Sequence, residues 1–121
     1  MSTKDIISKL ERIGYDYEQA TDELISATVE LLEVESLISE AKTAAIIRGQ
    51  DEGALDGKNE GERKLKLEAW LAGDKDLRAT EERKREADEN KLRSSARLDN
   101  LRFQLRVVEA FLAVLSEGRG Q

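Results

Sequence analysis

Between Ile6 and Ala45, every position reached by alternating steps of four and three residues is apolar: Ile6, Leu10, Ile13, Tyr17, Ala20, Leu24, Ala27, Leu31, Val34, Ile38, Ala41 and Ala45. In a chain with 39% hydrophobic residues, twelve such hits in a row arise by chance about once in 100,000. The repeat defines a coiled-coil seam on one helix of about 60 Å, at 1.5 Å of rise per residue. A helix with one apolar stripe must bury that stripe, so the rest of the chain is read as what covers it.

The seam is not that of a parallel leucine zipper. With Leu10, Tyr17, Leu24, Leu31, Ile38 and Ala45 at the a positions, the d positions are Ile6, Ile13, Ala20, Ala27, Val34 and Ala41. A parallel zipper prefers leucine at d, whereas alanine there lets a partner backbone come close. The helix is expected to start near Ser2, which with Asp5 forms a capping box, and to span residues 3–48. Gly14, inside it, costs about 1 kcal/mol relative to alanine and marks a soft point. Ile25, Val29 and Leu32 form a second apolar stripe away from the seam. Isolated surface apolar residues are ordinary; three at helical spacing form a patch that suggests a further contact.

Arg48–Gly49 reads as a basic last turn with a C-terminal glycine. Residues 49–59, with three glycines and three acids, read as a loop. Asn59 then caps a short helix over 60–72, with Glu62 in the capping-box position. Trp70, the only tryptophan, is expected to fold this short helix onto the end of the helix pair. The plainer role is packing; a binding role is the alternative. A last helix is expected over 75–116, leaving a flexible tail at 117–121. Leu98, Leu101, Leu105, Val108, Leu112 and Leu115 repeat the seam spacing. Phe103, Val107, Ala110 and Val114, with Phe111 beside them, form another stripe. A helix apolar around most of its circumference is buried on more than one side.

These parts match if the long helices run antiparallel. The apolar end at 98–115 then faces Ile6 to Leu31, and the alanine-dotted stretch 79–96 faces Ala41, Ala44 and Ala45. The expected fold is all-α: a long antiparallel helical hairpin with a short third helix near its tip, one domain over 1–121. Ile25, Val29, Leu32, Phe103, Val107, Ala110, Phe111 and Val114 are the candidate interface of a homo-oligomeric helical bundle.

Composition narrows the chemistry. The chain has no histidine and no cysteine, so the commonest general base, the commonest transition-metal ligand and thiolate chemistry are missing. No run is apolar enough to span a membrane, and the first residues lack a signal-peptide pattern; the expected location is the cytoplasm. Residues 1–60 carry 6 basic and 14 acidic side chains, and residues 61–121 carry 14 and 12. That asymmetry suits two helices that attract each other, and the net charge of −6 does not suit a general nucleic-acid binder.

Two clusters merit weighing against plain readings. Asp51, Glu52, Asp56, Glu60 and Glu62 are acidic and clustered, but the EF-hand pattern fails at Lys58 and Leu67, and a solvated turn explains them. No cofactor or metal is expected. Arg83, Lys84, Arg85, Lys91, Arg93 and Arg97, in a run reaching from Arg78 to Arg106, could contact nucleic acid or a small anion. Glu81, Glu82, Glu86, Asp88 and Glu89 interleave with them, and no aromatic residue accompanies them to stack on bases.

The stretch Asp56-Gly57-Lys58-Asn59-Glu60-Gly61-Glu62-Arg63-Lys64, followed by a short leucine/alanine helix and a long charged helix, resembles small helical proteins of tailed bacteriophages and prophages. The likeness covers residues 45–100 as an arrangement and implies a small non-enzymatic accessory protein, in the host cytoplasm, with no functional residues to carry over. The expected function is therefore a non-catalytic interaction or assembly protein, self-associating and with a host or phage protein as a possible partner. The alternatives are a nucleic-acid-binding accessory of replication or recombination, and an oligomer that binds a small anion such as a nucleotide to counter host defence.

Overall fold

The structure of the protein, a computed structural model, describes residues 2–119. Three helices, α1 (Thr3–Asp51), α2 (Glu60–Gly73) and α3 (Lys75–Arg119), account for nearly all of them, and no strand occurs among the described residues. The fold is all-α. The chain divides into two compact units, one made of Met1–Ala27 with Asn90–Gln121 and the other of Thr28–Glu89. The long helices α1 and α3 each contribute to both.

All twelve seam residues of α1 are buried or half-buried. In the first unit Ile6, Ile13 and Val108 pack together with Leu10 and Leu105. Ala20, Leu98 and Leu101 form a second cluster with Tyr17 and Leu24. Low numbers in α1 meet high numbers in α3, so the pairing is an antiparallel helical hairpin. One edge carries an ion pair between Glu23 and Arg97 at 2.7 Å. Leu112 and Leu115, expected in the seam, are instead 38% and 37% exposed. Val108 already packs against Ile6, so these two positions lie past the level of the first turns of α1.

The second unit is antiparallel by the same criterion, with Glu30 paired to Arg83 at 3.0 Å and Arg48 paired to Asp74. Its core holds Leu31, Val34, Ala45, Leu77 and Ala87. Two of these five are alanines, so the alanine-rich stretch of α1 and the alanine-dotted stretch of α3 each place one residue in this core. Lys84, which reads in sequence as part of a basic run, is half-buried. It sits two heptads before Leu98, at a seam position, where a long aliphatic stem can cover apolar surface with the charge kept in water.

The helix ends follow local chemistry. Ser2 and Asp5 form the expected box: the Asp5 N–H donates to Ser2 Oγ and the Ser2 N–H to the Asp5 carboxylate, both at 3.2 Å. α1 does not stop at Arg48. It continues through Gly49 to Asp51, because the left-handed residue is Gly53, with φ of 72°. The Ala54 N–H donates to Gly49 O at 2.9 Å and the Gly53 N–H to Gln50 O at 3.1 Å, the two bonds of a Schellman motif centred four residues later than expected. At the other end α3 runs through Gly118 to Arg119 rather than stopping at 116. Gly118 keeps a negative φ, and a glycine weakens a helix without breaking it. The rest of the expected tail, Gly120 and Gln121, lies outside the described residues.

Candidate functional site

The corner of the second unit is built from three interlocking contacts. Asn59 caps α2, its side chain accepting from the Glu62 N–H at 2.8 Å. Trp70 on α2 is half-buried, and its indole Nε1–H donates to Ala45 O at 2.7 Å. Trp70 thereby ties the short helix to α1, the packing role its sequence position suggests. Gly49 makes that contact possible: it is buried, and a Cβ there would stand 2.9 Å from Trp70 Nε1 and 3.0 Å from Leu55 Cγ. The spacing of glycines in 49–61 marks a turn region, but only three-dimensional packing shows that Gly49 is there for the indole.

Asp74 closes α2 and opens α3. Its carboxylate accepts from the Leu77 N–H at 2.9 Å and pairs with Arg48. The Leu77 N–H, and after it the Arg48 guanidinium, hold the Asp74 carboxyl below its ordinary value. A carboxyl with a depressed native pKa adds stability that is complete above the unfolded value and is lost as pH falls through the native one. Acidification from neutral pH to below the ordinary aspartate range of about 3.9 should therefore loosen this corner, read as a change in Trp70 fluorescence. Asp74→Asn keeps a capping oxygen, removes the titrating group and should flatten that acid response.

The candidate interface residues are exposed, but they fall in different units. In the first unit Ile25 is 58%, Phe103 61% and Val114 65% exposed, with Val107, Ala110 and Phe111 also open to solvent. Phe103, Val107, Ala110 and Val114 follow four-three-four spacing on the side of α3 away from Leu98, Leu101, Leu105 and Val108. Val29 and Leu32 belong to the second unit, and both are exposed.

The candidate nucleic-acid residues do not form one cluster of uncommitted charge. Arg83 pairs with Glu30, Arg85 with Glu82 and Arg97 with Glu23. The Glu23 hydrogen bond raises the Arg97 guanidinium further above its ordinary value. Lys91, like Lys84, is half-buried one heptad from Leu98, and Arg93 is exposed. Exposed pairs of this kind contribute little stability, but they reduce the charge offered to phosphate.

Among the described residues no group of three or more acidic side chains is arranged to hold a metal ion; in the acidic loop the Lys58 N–H donates to the Glu62 carboxylate at 3.4 Å and Lys66 Nζ donates to Asp56 O. No helix among them is long and apolar enough to cross a membrane. The first unit also has an open groove of about 710 Å³ lined by Leu10, Ile13, Gly14, Tyr17 and Leu105, with Asp99, Arg102, Arg106 and Glu109 along its charged side. The sequence gives one hint of it, the glycine in mid-helix. Comparison with protein-family models, with curated proteins and with solved structures finds no match to this chain.

Proposed function

We propose that the chain is a non-catalytic protein-interaction and assembly protein that acts through the outer faces of its long helices, beginning with association of its own copies. The observation that carries this reading is the set of large apolar side chains left in water on faces away from the core: Ile25, Val29 and Leu32 on α1, and Phe103, Val107, Phe111 and Val114 on α3. Contiguous apolar stripes of this kind on a small protein mark contact surfaces more often than scattered residues do. A thin helix pair gains most from such contacts, because it has no deep core of its own. The cytoplasmic, phage or prophage setting belongs to the same proposal and rests on the Asp56–Lys64 resemblance.

The test is molar mass in solution by light scattering at micromolar concentration. The reading expects a dimer or larger species. Val29→Glu, on an exposed helical position, is expected to leave the circular dichroism of the folded helices unchanged, and loss of mass on that substitution would place Val29 in the contact. A monomer at every concentration contradicts the proposal. Co-purified nucleic acid, seen as excess absorbance at 260 nm, would favour the nucleic-acid alternative instead.

A further inference from the structure

The two edges of the helix pair in the first unit differ. On the edge that carries Glu23 and Arg97, an ion pair at 2.7 Å bridges α1 to α3. An opening lined by Ser8, Lys9, Arg12, Asp16 and Gln104 lies on that same side; the other edge holds the groove with Gly14, Arg102 and Arg106, and the α1 residues along it are Ile7, Glu11, Gly14, Glu18, Thr21 and Ile25. They recur at four-three-four-three-four spacing, which is a second heptad stripe on α1. Ile7 and Ile25 are 52% and 58% exposed. Glu11, Gly14 and Glu18 are exposed as well.

Gly14 has no explanation inside the chain. A Cβ added there would meet nothing within 4 Å, and its φ is not positive. A glycine at a helical interior position is unfavourable, so the fold alone would be better served by alanine. Space beside a helix backbone is useful when another chain comes close.

The stripe is self-complementary when reversed. Laid antiparallel on a copy of itself, Ile7 falls opposite Ile25, Glu11 opposite Thr21 and Gly14 opposite Glu18, each pair occurring twice about a two-fold axis near Asp16. Such an isologous contact closes on itself. Each Glu18 then lies over the partner copy's bare glycine, at the mouth of the groove lined by Gly14, Arg102 and Arg106. The charges match. Arg102 pairs with Asp99 and donates to Tyr17 Oη on α1, both at 3.4 Å. Arg106, Glu11 and Glu18 make no ion pair among the described residues.

We infer that the occupant of this edge is a second copy of the chain, docked antiparallel through Ile7, Glu11, Gly14, Glu18, Thr21 and Ile25, with Glu18 of each copy seated over Gly14 and paired with the Arg102–Arg106 side of the other's groove. The inference rests on the self-association proposed above and places it on this edge of α1, which shares Ile25 with the stripes named there and leaves the α3 stripe outside the contact.

Sedimentation velocity on the full chain, with circular dichroism to monitor folding, tests it. Wild type should dimerise. Gly14→Leu should weaken the dimer about tenfold or more while helicity is kept, because a Cβ there meets nothing of its own chain within 4 Å and the longer side chain obstructs Glu18 of the other copy. Gly14→Ala should raise the thermal midpoint of dilute, monomeric protein. Glu18→Lys and Arg106→Glu should each weaken association about tenfold, since like charges then face each other. The double variant should recover most of the loss. A wild-type dimer indifferent to Gly14→Leu, or one broken by Phe103→Glu and not by Gly14→Leu, overturns this interface and leaves self-association standing. Single charge variants that weaken the dimer without recovery in the double variant overturn the Glu18–Arg106 pairing. A monomeric wild type overturns both the interface and the self-association reading.

Discussion

Val108→Asp should unfold the first unit. Val108 is 1% exposed and packs against Ile6 and Ile13, with Leu10 and Leu105 around them. No basic side chain lies in that cluster to pair with a carboxylate. An unpaired buried ion costs several kcal/mol even after relaxation. A small domain has only about 5–15 kcal/mol in total, and a thin helix pair belongs at the low end. The expected result is a large loss of ellipticity at 222 nm, or a urea midpoint near zero. Val108→Ala removes only two methyl groups and should cost about 1–2 kcal/mol, with folding retained. The same substitution to aspartate at Phe103, 61% exposed on the opposite side of α3, should leave the helix content of the chain unchanged. A fully folded Val108→Asp protein would mean that the seam is not what holds the unit together.

Gly49→Leu should detach α2. The glycine is buried, and a Cβ would meet Trp70 Nε1 at 2.9 Å and the Leu55 side chain at 3.0 and 3.1 Å. Both neighbours are bulky and packed, so relief comes by moving them, at a cost of about 1–3 kcal/mol for overpacking. The indole then loses its hydrogen bond to Ala45 O. Trp70 is the only tryptophan, so its emission reports the event directly: a shift to longer wavelength, with far-UV dichroism changed by no more than one short helix. Gly53→Ala acts differently. It strains the left-handed residue of the Schellman motif, φ 72°, without filling the space under Trp70. Its cost should appear in the thermal midpoint and not in the emission maximum.

Much of this architecture is legible in the sequence because a seam is a one-dimensional signal. The alternation of four and three from Ile6 to Ala45 names buried and half-buried residues of α1 one by one, and the alanines at 45 and 87 enter the core of the second unit. The caps at Ser2, Asn59 and Asp74 are local hydrogen bonds between residues three apart, so they too can be read directly. The end of α1 is not set by local sequence. Gly49 and Gly53 are equal candidates for a C-terminal glycine, and the choice depends on Trp70, twenty-one residues beyond Gly49, which requires Gly49 to stay in the helix and leaves Gly53 to take the positive φ. Lys84 and Lys91 illustrate the same limit. They read as part of a charged run, but both share heptad register with Leu98 and both are half-buried. Of the groove the sequence shows only the mid-helix glycine, because its charged side comes from α3 residues some ninety positions away that only the fold brings beside Gly14.

The candidate interface was legible as exposure and not as partnership. Every apolar residue named for it is open to solvent, and two different helical faces satisfy that description. The inference for the α1 edge draws on the open space at a Gly14 Cβ and on the placement of the Glu23–Arg97 ion pair, both of which exist only in three dimensions.

Self-association is the central claim, and sedimentation equilibrium of the wild-type chain across a hundredfold concentration range tests it most directly. The account predicts a mass that rises with concentration to twice the 13.6 kDa of the chain, with the rise shifted to higher concentration by Gly14→Leu. A constant mass of one chain over the whole range contradicts it.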